Sequence, residues 1–122
     1  AVNNGEHSTL RKYLANGIDP DSHYSDYPFA GQTGSLLHAA AFNGHMACTA
    51  LLVNAGATLD LQTRPTGWTA LLLACSEGHL NIVKSLIIAG ASLSLPKGNG
   101  ATALYVSAYH GHLDILEVLL KC

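Results

Sequence analysis

Apolar residues recur along the chain in two alternating helical registers. In the stretch EGHLNIVKSLIIAG, residues 77–90, Leu80, Ile82, Val83, Leu86 and Ile87 stand at helical spacing, and Gly90 supplies the left-handed stop at the end. Just before it, ALLLACSEG, residues 70–78, is apolar on nearly every side, which predicts a short helix that neighbours cover on several faces. A hydroxyl residue stands ahead of each such helix, at Ser35, Thr69 and Thr102, ready to cap its first turn. Small residues recur inside these helices, with Ala39, Ala40 and Ala41 in one, Ala74 and Cys75 in the next, and Ser107 and Ala108 in the last, so that neighbours can approach closely. Between helix pairs the chain is extended with a tight turn, RPTG or KGNG. There Pro65 at the second position and Gly67 or Gly100 at the fourth suit a type I geometry.

The pattern repeats with a fixed period. Gly67 and Gly100, Thr69 and Thr102, Leu71 and Leu104, Gly78 and Gly111, and Leu86 and Leu119 each stand 33 positions apart. Stepping back 34 positions from Leu71, Ala74, Gly78, His79, Leu86 and Gly90 lands on Leu37, Ala40, Gly44, His45, Leu52 and Gly56. A partial fourth copy, NNGEHSTLRKYLANG, keeps the 12-residue interval between its glycines, Gly5 and Gly17. A period in this range predicts a solenoid of stacked helix pairs. The boundaries are then a partial unit over 1–21, an inserted long finger over 19–34, and units over 35–60, 61–94 and 95–122.

With GWTALLLACSEGHLNIVKSLIIAGA, residues 67–91, and its partner from Gly100 onward, the chain resembles a run of ankyrin repeats over nearly its whole length. The resemblance implies an all-α repeat solenoid, with antiparallel helix pairs stacked side by side and β-hairpin fingers projecting at roughly a right angle. It also implies a protein-interaction module that binds along a concave groove and the finger tips. The family's helix-opening Thr-Pro-Leu-His is eroded to Ser35-Leu36-Leu37-His38, Thr69-Ala70-Leu71-Leu72 and Thr102-Ala103-Leu104-Tyr105. The family's hydroxyl-to-imidazole bond is therefore expected only between Ser35 and His38. Ala1 and Val2 align with the end of a first helix, and no visibly polar unit caps the C-terminal end, so the parent protein is expected to continue on at least one side.

Composition narrows the function classes. The 122 residues are 48% hydrophobic and 11% charged, as in a chain that folds, and the net charge of −2 with six Lys and Arg offers no basic surface for nucleic acid. Apolar runs such as TALLLAC break well short of the roughly 20 residues that cross a bilayer, so membrane insertion is not expected. Cys48, Cys75 and Cys122 form no CxxC pair and no regular framework, which suits reduced thiols in the cytosol or nucleus.

Candidate chemistry is thin. GNGATA matches the G-x-G-x-x-A pattern at Gly98, Gly100 and Ala103, yet Pro96 interrupts its approach, no βαβ unit surrounds it, and the preceding copy of the slot reads RPTGWT; a finger turn explains it better. His45, His79 and His112 each come directly after the repeat glycine, so the period accounts for their spacing, and copies one repeat apart cannot share a zinc ion. His7, His23 and His110 are expected at the surface with no completing ligands. Cys48 and Cys75 align with apolar core slots and are expected to be inert. Without a G-x-S-x-G elbow, an H-E-x-x-H pair or a Walker loop, the segment is not expected to be an enzyme or to need a cofactor.

Binding is expected where the copies differ. The resemblance places groove contacts at the two residues before each repeat glycine, Asn3 and Asn4, Phe42 and Asn43, Ser76 and Glu77, Tyr109 and His110, with Trp68 on the same face. Tyr and Trp are enriched in binding hot spots. The first finger is longer than the rest, with 18 positions from Gly17 to Ser35 against 13 and 12 for the corresponding intervals in the later copies. It mixes Tyr24, Tyr27 and Phe29 with Asp19, Asp21 and Asp26, suited to a basic or proline-containing peptide or else to folding back on itself. Two further readings are a modified-lysine reader, with Trp68, Tyr109 and Glu77 as cage walls and anion, and a spacer with no ligand of its own. The partner's identity and the oligomeric state are not legible.

Overall fold

The computed structural model describes residues 23–25, 33–64 and 66–122. The elements in chain order are β1 (His23–Ser25), β2 (Thr33–Ser35), α1 (Leu36–Asn43), α2 (Met46–Asn54), α3 (Ala70–Glu77), α4 (Leu80–Ala89), α5 (Ala103–Tyr109) and α6 (Leu113–Leu120). Three helix pairs stack in a row: α3 packs between α1 and α5, α2 packs on α4, and α4 on α6. This is the all-α repeat solenoid the period predicts. The long first finger contributes an antiparallel ribbon with His23 opposite Ser35, Tyr24 opposite Gly34 and Ser25 opposite Thr33.

Position in the stack explains the hydrophobic pattern. Helix α3 has a helix pair on either side, and all its residues from Ala70 to Cys75 are buried. Helix α4 buries Ile82, Val83 and Leu86 while Asn81, Lys84 and Ile88 face water, as its amphipathic register predicts. Leu52 and Leu86 are wholly buried and Leu119 nearly so, one core leucine from each repeat.

Caps begin the first helix of each pair, with one departure. Ser35 accepts from the His38 backbone N–H, and the His38 imidazole accepts from the Ser35 N–H in return, a capping box with histidine at the third helical position. Because Nδ1 accepts that bond, Nε2 carries the proton and donates to the carbonyls of Leu61 (2.8 Å) and Trp68 (3.0 Å), tying the helix start to the second finger. The Thr69 hydroxyl caps Leu72 at 3.1 Å. Thr102 has the same extended backbone, but its hydroxyl makes no capping bond.

Two of the histidines that follow a repeat glycine, His79 and His112, join neighbouring repeats. Gly44 and Gly78 take φ of +75° and +79°, and the ring of the next repeat's histidine lies where their side chains would be: a Cβ would meet His79 at 2.7 Å and His112 at 2.8 Å. Each ring donates through Nε2 to a carbonyl of the preceding repeat, His79 to Phe42 at 3.1 Å and His112 to Ser76 at 3.0 Å. Successive repeats are thus joined by rungs of imidazole on glycine.

Pro65 of the second finger turn lies outside the described residues. Beside it Gly67 donates its N–H to the Thr63 carbonyl at 2.8 Å, and Thr63 pairs with Trp68, donating its N–H (2.7 Å) and accepting at its hydroxyl (3.0 Å). The third turn matches expectation, with Gly100 bonded to Lys97 at 2.8 Å.

Candidate functional site

The C-terminal ends of α1, α3 and α5 carry the residues that vary between copies. Each helix stops at or beside its repeat glycine, and the two side chains before that glycine, Phe42 and Asn43, Ser76 and Glu77, Tyr109 and His110, stand at one edge of the stack. Asn43 turns back onto its own helix, its amide donating to the Ala39 carbonyl at 2.9 Å, and Phe42 is half-buried. The later two pairs are joined by a chain of contacts. The Ser76 hydroxyl donates to the Glu77 carboxylate at 3.3 Å and lies 3.3 Å from Nε2 of His110. The His110 ring meets Tyr109 edge-on, centroids 5.2 Å apart, and lies beside His112 at 6.1 Å. Tyr109 in turn stacks on Tyr105 at 6.0 Å. Glu77, Tyr109 and His110 are exposed, Tyr109 by 73%. The result is an exposed carboxylate, a hydroxyl, an imidazole and two phenol rings in sequence, able to accept from a donor and to cover an apolar or cationic side chain.

Trp68 is engaged with the neighbouring finger. It is half-buried against the core, and the Lys97 ammonium lies 4.5 Å above its ring, so one face already carries a cation from the next finger. The fingers are clamped around it. The Gln62 amide donates to the Gly67 and Pro96 carbonyls at 3.0 and 2.9 Å, Gly98 donates to Thr66 at 2.7 Å, and the Asp60 carboxylate accepts from the Ser92 N–H at 2.8 Å. The engagement of Gly98 makes the G-x-G-x-x-A stretch a finger turn.

Of the first finger, Tyr24 lies in β1 with its backbone opposite Gly34. Asn3, Asn4, Tyr27 and Phe29 fall outside the described residues. Cys48 and Cys75 are wholly buried, and burial pushes the Cys75 thiol up to about 12. Among the described residues no three His, Cys, Asp or Glu side chains come together as a metal site, and no helix is long and apolar enough to cross a membrane. Two features escape the sequence reading. Tyr105 sits at a helix-opening slot read only as eroded, and its visible signal was an aromatic four residues before Tyr109. The Lys97 contact on Trp68 joins adjacent fingers, which no within-repeat pattern encodes.

Comparison with known proteins agrees with this architecture. The ankyrin-repeat family, in three copies, matches over residues 1–97 and 37–122. A probable E3 ubiquitin-protein ligase XBOS32 of Oryza sativa subsp. japonica is 36% identical over 95 residues, 77% of this chain and 19% of that protein. Ankyrin repeat and SAM domain-containing protein 6 of Mus musculus is 41% identical over 73 residues, 60% of this chain and 8% of its own length. Protein phosphatase 1 regulatory subunit 27 of Mus musculus is 41% identical over 66 residues, 54% of this chain and 42% of that protein. The chain thus spans less than half of each of these relatives.

Proposed function

Because the chain belongs to the ankyrin-repeat family, whose repeats generally mediate protein–protein interaction, we propose that it binds a partner protein or peptide along the edge formed by Phe42, Asn43, Ser76, Glu77, Tyr109 and His110. The carrying observation is Tyr109, 73% exposed at the end of a contact chain that begins at an exposed carboxylate. An aromatic held in water by neighbouring rings contributes little to the fold and much to a contact, since little side-chain freedom remains to be lost on binding. The mechanism is recognition by a preformed surface: the repeats are tied by the imidazole rungs and the finger clamps, so the partner does the adjusting. A relative named as a phosphatase regulatory subunit supports a binding role in place of catalysis.

The partner segment that suits this edge carries a cationic or amide side chain beside an apolar one, the first meeting Glu77 and Ser76 and the second Tyr109. The modified-lysine reading gains no support. Lys97 occupies one face of Trp68, and Leu72 and Leu73, where a further cage wall would stand, are buried. The test is affinity capture with the native chain and with Tyr109→Ala, Glu77→Gln and Trp68→Ala, each checked for its fold by circular dichroism. Partners lost with Tyr109→Ala and Glu77→Gln but kept with Trp68→Ala support the edge. Partners kept with both edge variants move the site to the first finger, Tyr24, Tyr27 and Phe29, and an empty list favours the spacer.

A further inference from the structure

At the binding edge one hydroxyl lies between an acid and a base. The Ser76 hydroxyl donates to the Glu77 carboxylate at 3.3 Å and stands 3.3 Å from Nε2 of His110 on the next repeat. A hydroxyl has a single proton to donate. With that proton directed at Glu77, the contact to His110 makes the ring nitrogen the donor. The three groups then run in one direction, imidazole N–H to hydroxyl to carboxylate, and Nδ1 of His110 is the nitrogen left to take up a proton.

The surroundings hold the ring at this post. Tyr109 meets it edge-on with centroids 5.2 Å apart, and His112 lies nearly parallel to it at 6.1 Å, fixed in turn by the bond from its own Nε2 to the Ser76 carbonyl. The corresponding pair one repeat earlier is Phe42 and Glu77, and a phenyl ring has no hydrogen bond to pass on. The arrangement therefore belongs to this junction and not to the repeat as such. The slot of His110 is open to water in every described copy, as Asn43 and Glu77 show.

We propose that the edge takes a lysine or arginine side chain of its partner at Glu77, and that protonation of His110 weakens this capture through Ser76, so that recognition is stronger at neutral than at mildly acid pH. This deepens the edge reading above and rests on it. With His110 neutral, the carboxylate is an uncompensated negative charge, which a cation answers better than an amide does. With His110 protonated, an imidazolium lies two 3.3 Å contacts away, no more than about 7 Å from the carboxylate. It compensates Glu77 and repels the incoming cation, and in water that separation is worth about three-fold in affinity.

The titratable groups facing His110 are Glu77 on α3, Tyr109 on its own helix and His112 at the start of α6. Between pH 5 and 8 imidazoles change charge, whereas carboxylates stay ionised and phenols neutral. The bond from His112 runs to the Ser76 carbonyl and not to the hydroxyl that meets Glu77, and Nε2 still donates it when the ring is protonated.

The probe is a histidine-free random peptide library displayed on phage and panned on the full chain at pH 8, with the affinities of selected peptides then measured at pH 8 and 5.5. The expected peptides carry Lys or Arg and bind at least about three-fold more weakly at pH 5.5. That pH ratio should approach one in His110→Gln, whatever its affinity at pH 8, and in peptides whose cation is replaced by Gln. Peptides lost with Tyr109→Ala that bind equally at both pH values, or that keep their pH ratio in His110→Gln, would overturn the proposal and leave the edge reading standing. Peptides indifferent to both Tyr109→Ala and Glu77→Gln would overturn the two together. A second readout needs no peptide: in a nuclear magnetic resonance titration, Glu77→Gln should lower the proton affinity of His110 about three-fold, by the reciprocity of the coupling, and an unchanged titration would overturn the proposal.

Discussion

Replacing Gly78 by Ala tests the imidazole rung and separates it from ordinary helix termination, because Gly90 has the same handedness without the neighbour. Both glycines end a helix with positive φ, +79° and +102°, so an alanine at either takes on left-handed strain of about 1 kcal/mol. At Gly90 the new methyl enters open space and the cost stops there. At Gly78 it meets the His112 ring at 2.8 Å, and the ring has to leave, losing its bond to the Ser76 carbonyl. That bond contributes about 1 kcal/mol and the lost packing a similar amount, so Gly78→Ala is expected to cost about 3 kcal/mol in total. For a urea slope of about 2 kcal/mol per molar, the midpoint falls by about 1.5 M, against about 0.5 M for Gly90→Ala. The assay is urea unfolding monitored by circular dichroism. His112→Ala supplies the cycle: if the clash is the cause, the double variant costs less than the sum of the two single ones. Equal midpoints for Gly78→Ala and Gly90→Ala, or additive costs in the cycle, would refute the rung.

Three further outcomes are expected. Leu86→Ala, at a wholly buried site, should lose roughly 2–5 kcal/mol, while Ile88→Ala two residues on stays within about 0.5 kcal/mol; thermal and urea unfolding of both variants checks the register of α4. Lys97→Ala should shift Trp68 fluorescence and cost about 0.5–2 kcal/mol, the worth of a half-buried cation over a ring. Burial raises the Cys75 thiol from an ordinary 9.0 to about 12, so between these values the unfolded chain releases a proton that the folded chain keeps, and stability falls as pH rises. Urea midpoints of the native chain and of Cys75→Ala, which restores the alanine of the neighbouring repeats, should diverge above pH 9, the native chain losing more.

How legible the molecule was depends on whether a feature lies within a repeat or between repeats. The period placed Leu52, Leu86 and Leu119 in the core and Gly90 at a helix end, because those positions are fixed by a helix pair's own geometry. The Ser35–His38 bond was equally visible, being local, and it is present at 2.9 Å. The histidines after the repeat glycines were assigned to the period, but their partners, Phe42 and Ser76, lie 37 and 36 residues earlier and no spacing rule names them. The place of Trp68 after the finger glycine puts it on the same face as Tyr109. Its half-burial and the ammonium above it come from the next finger, so its surroundings were invisible from its own repeat. The exposure of Tyr109 could be read as a departure from the serine of the copy before, whereas that of Tyr105 is set by the neighbouring unit of the stack, on which its own repeat is silent.

Recognition at the edge carrying Glu77, Tyr109 and His110 is the central claim. The most direct measurement is photo-crosslinking in cells, with a benzophenone amino acid placed at Tyr109 in one variant and at Ile88 in another, both positions being well exposed. Edge recognition predicts a discrete adduct from Tyr109, lost when Glu77→Gln is added, and none from Ile88. An adduct from Ile88 alone, or one from Tyr109 that ignores the Glu77 change, would contradict it.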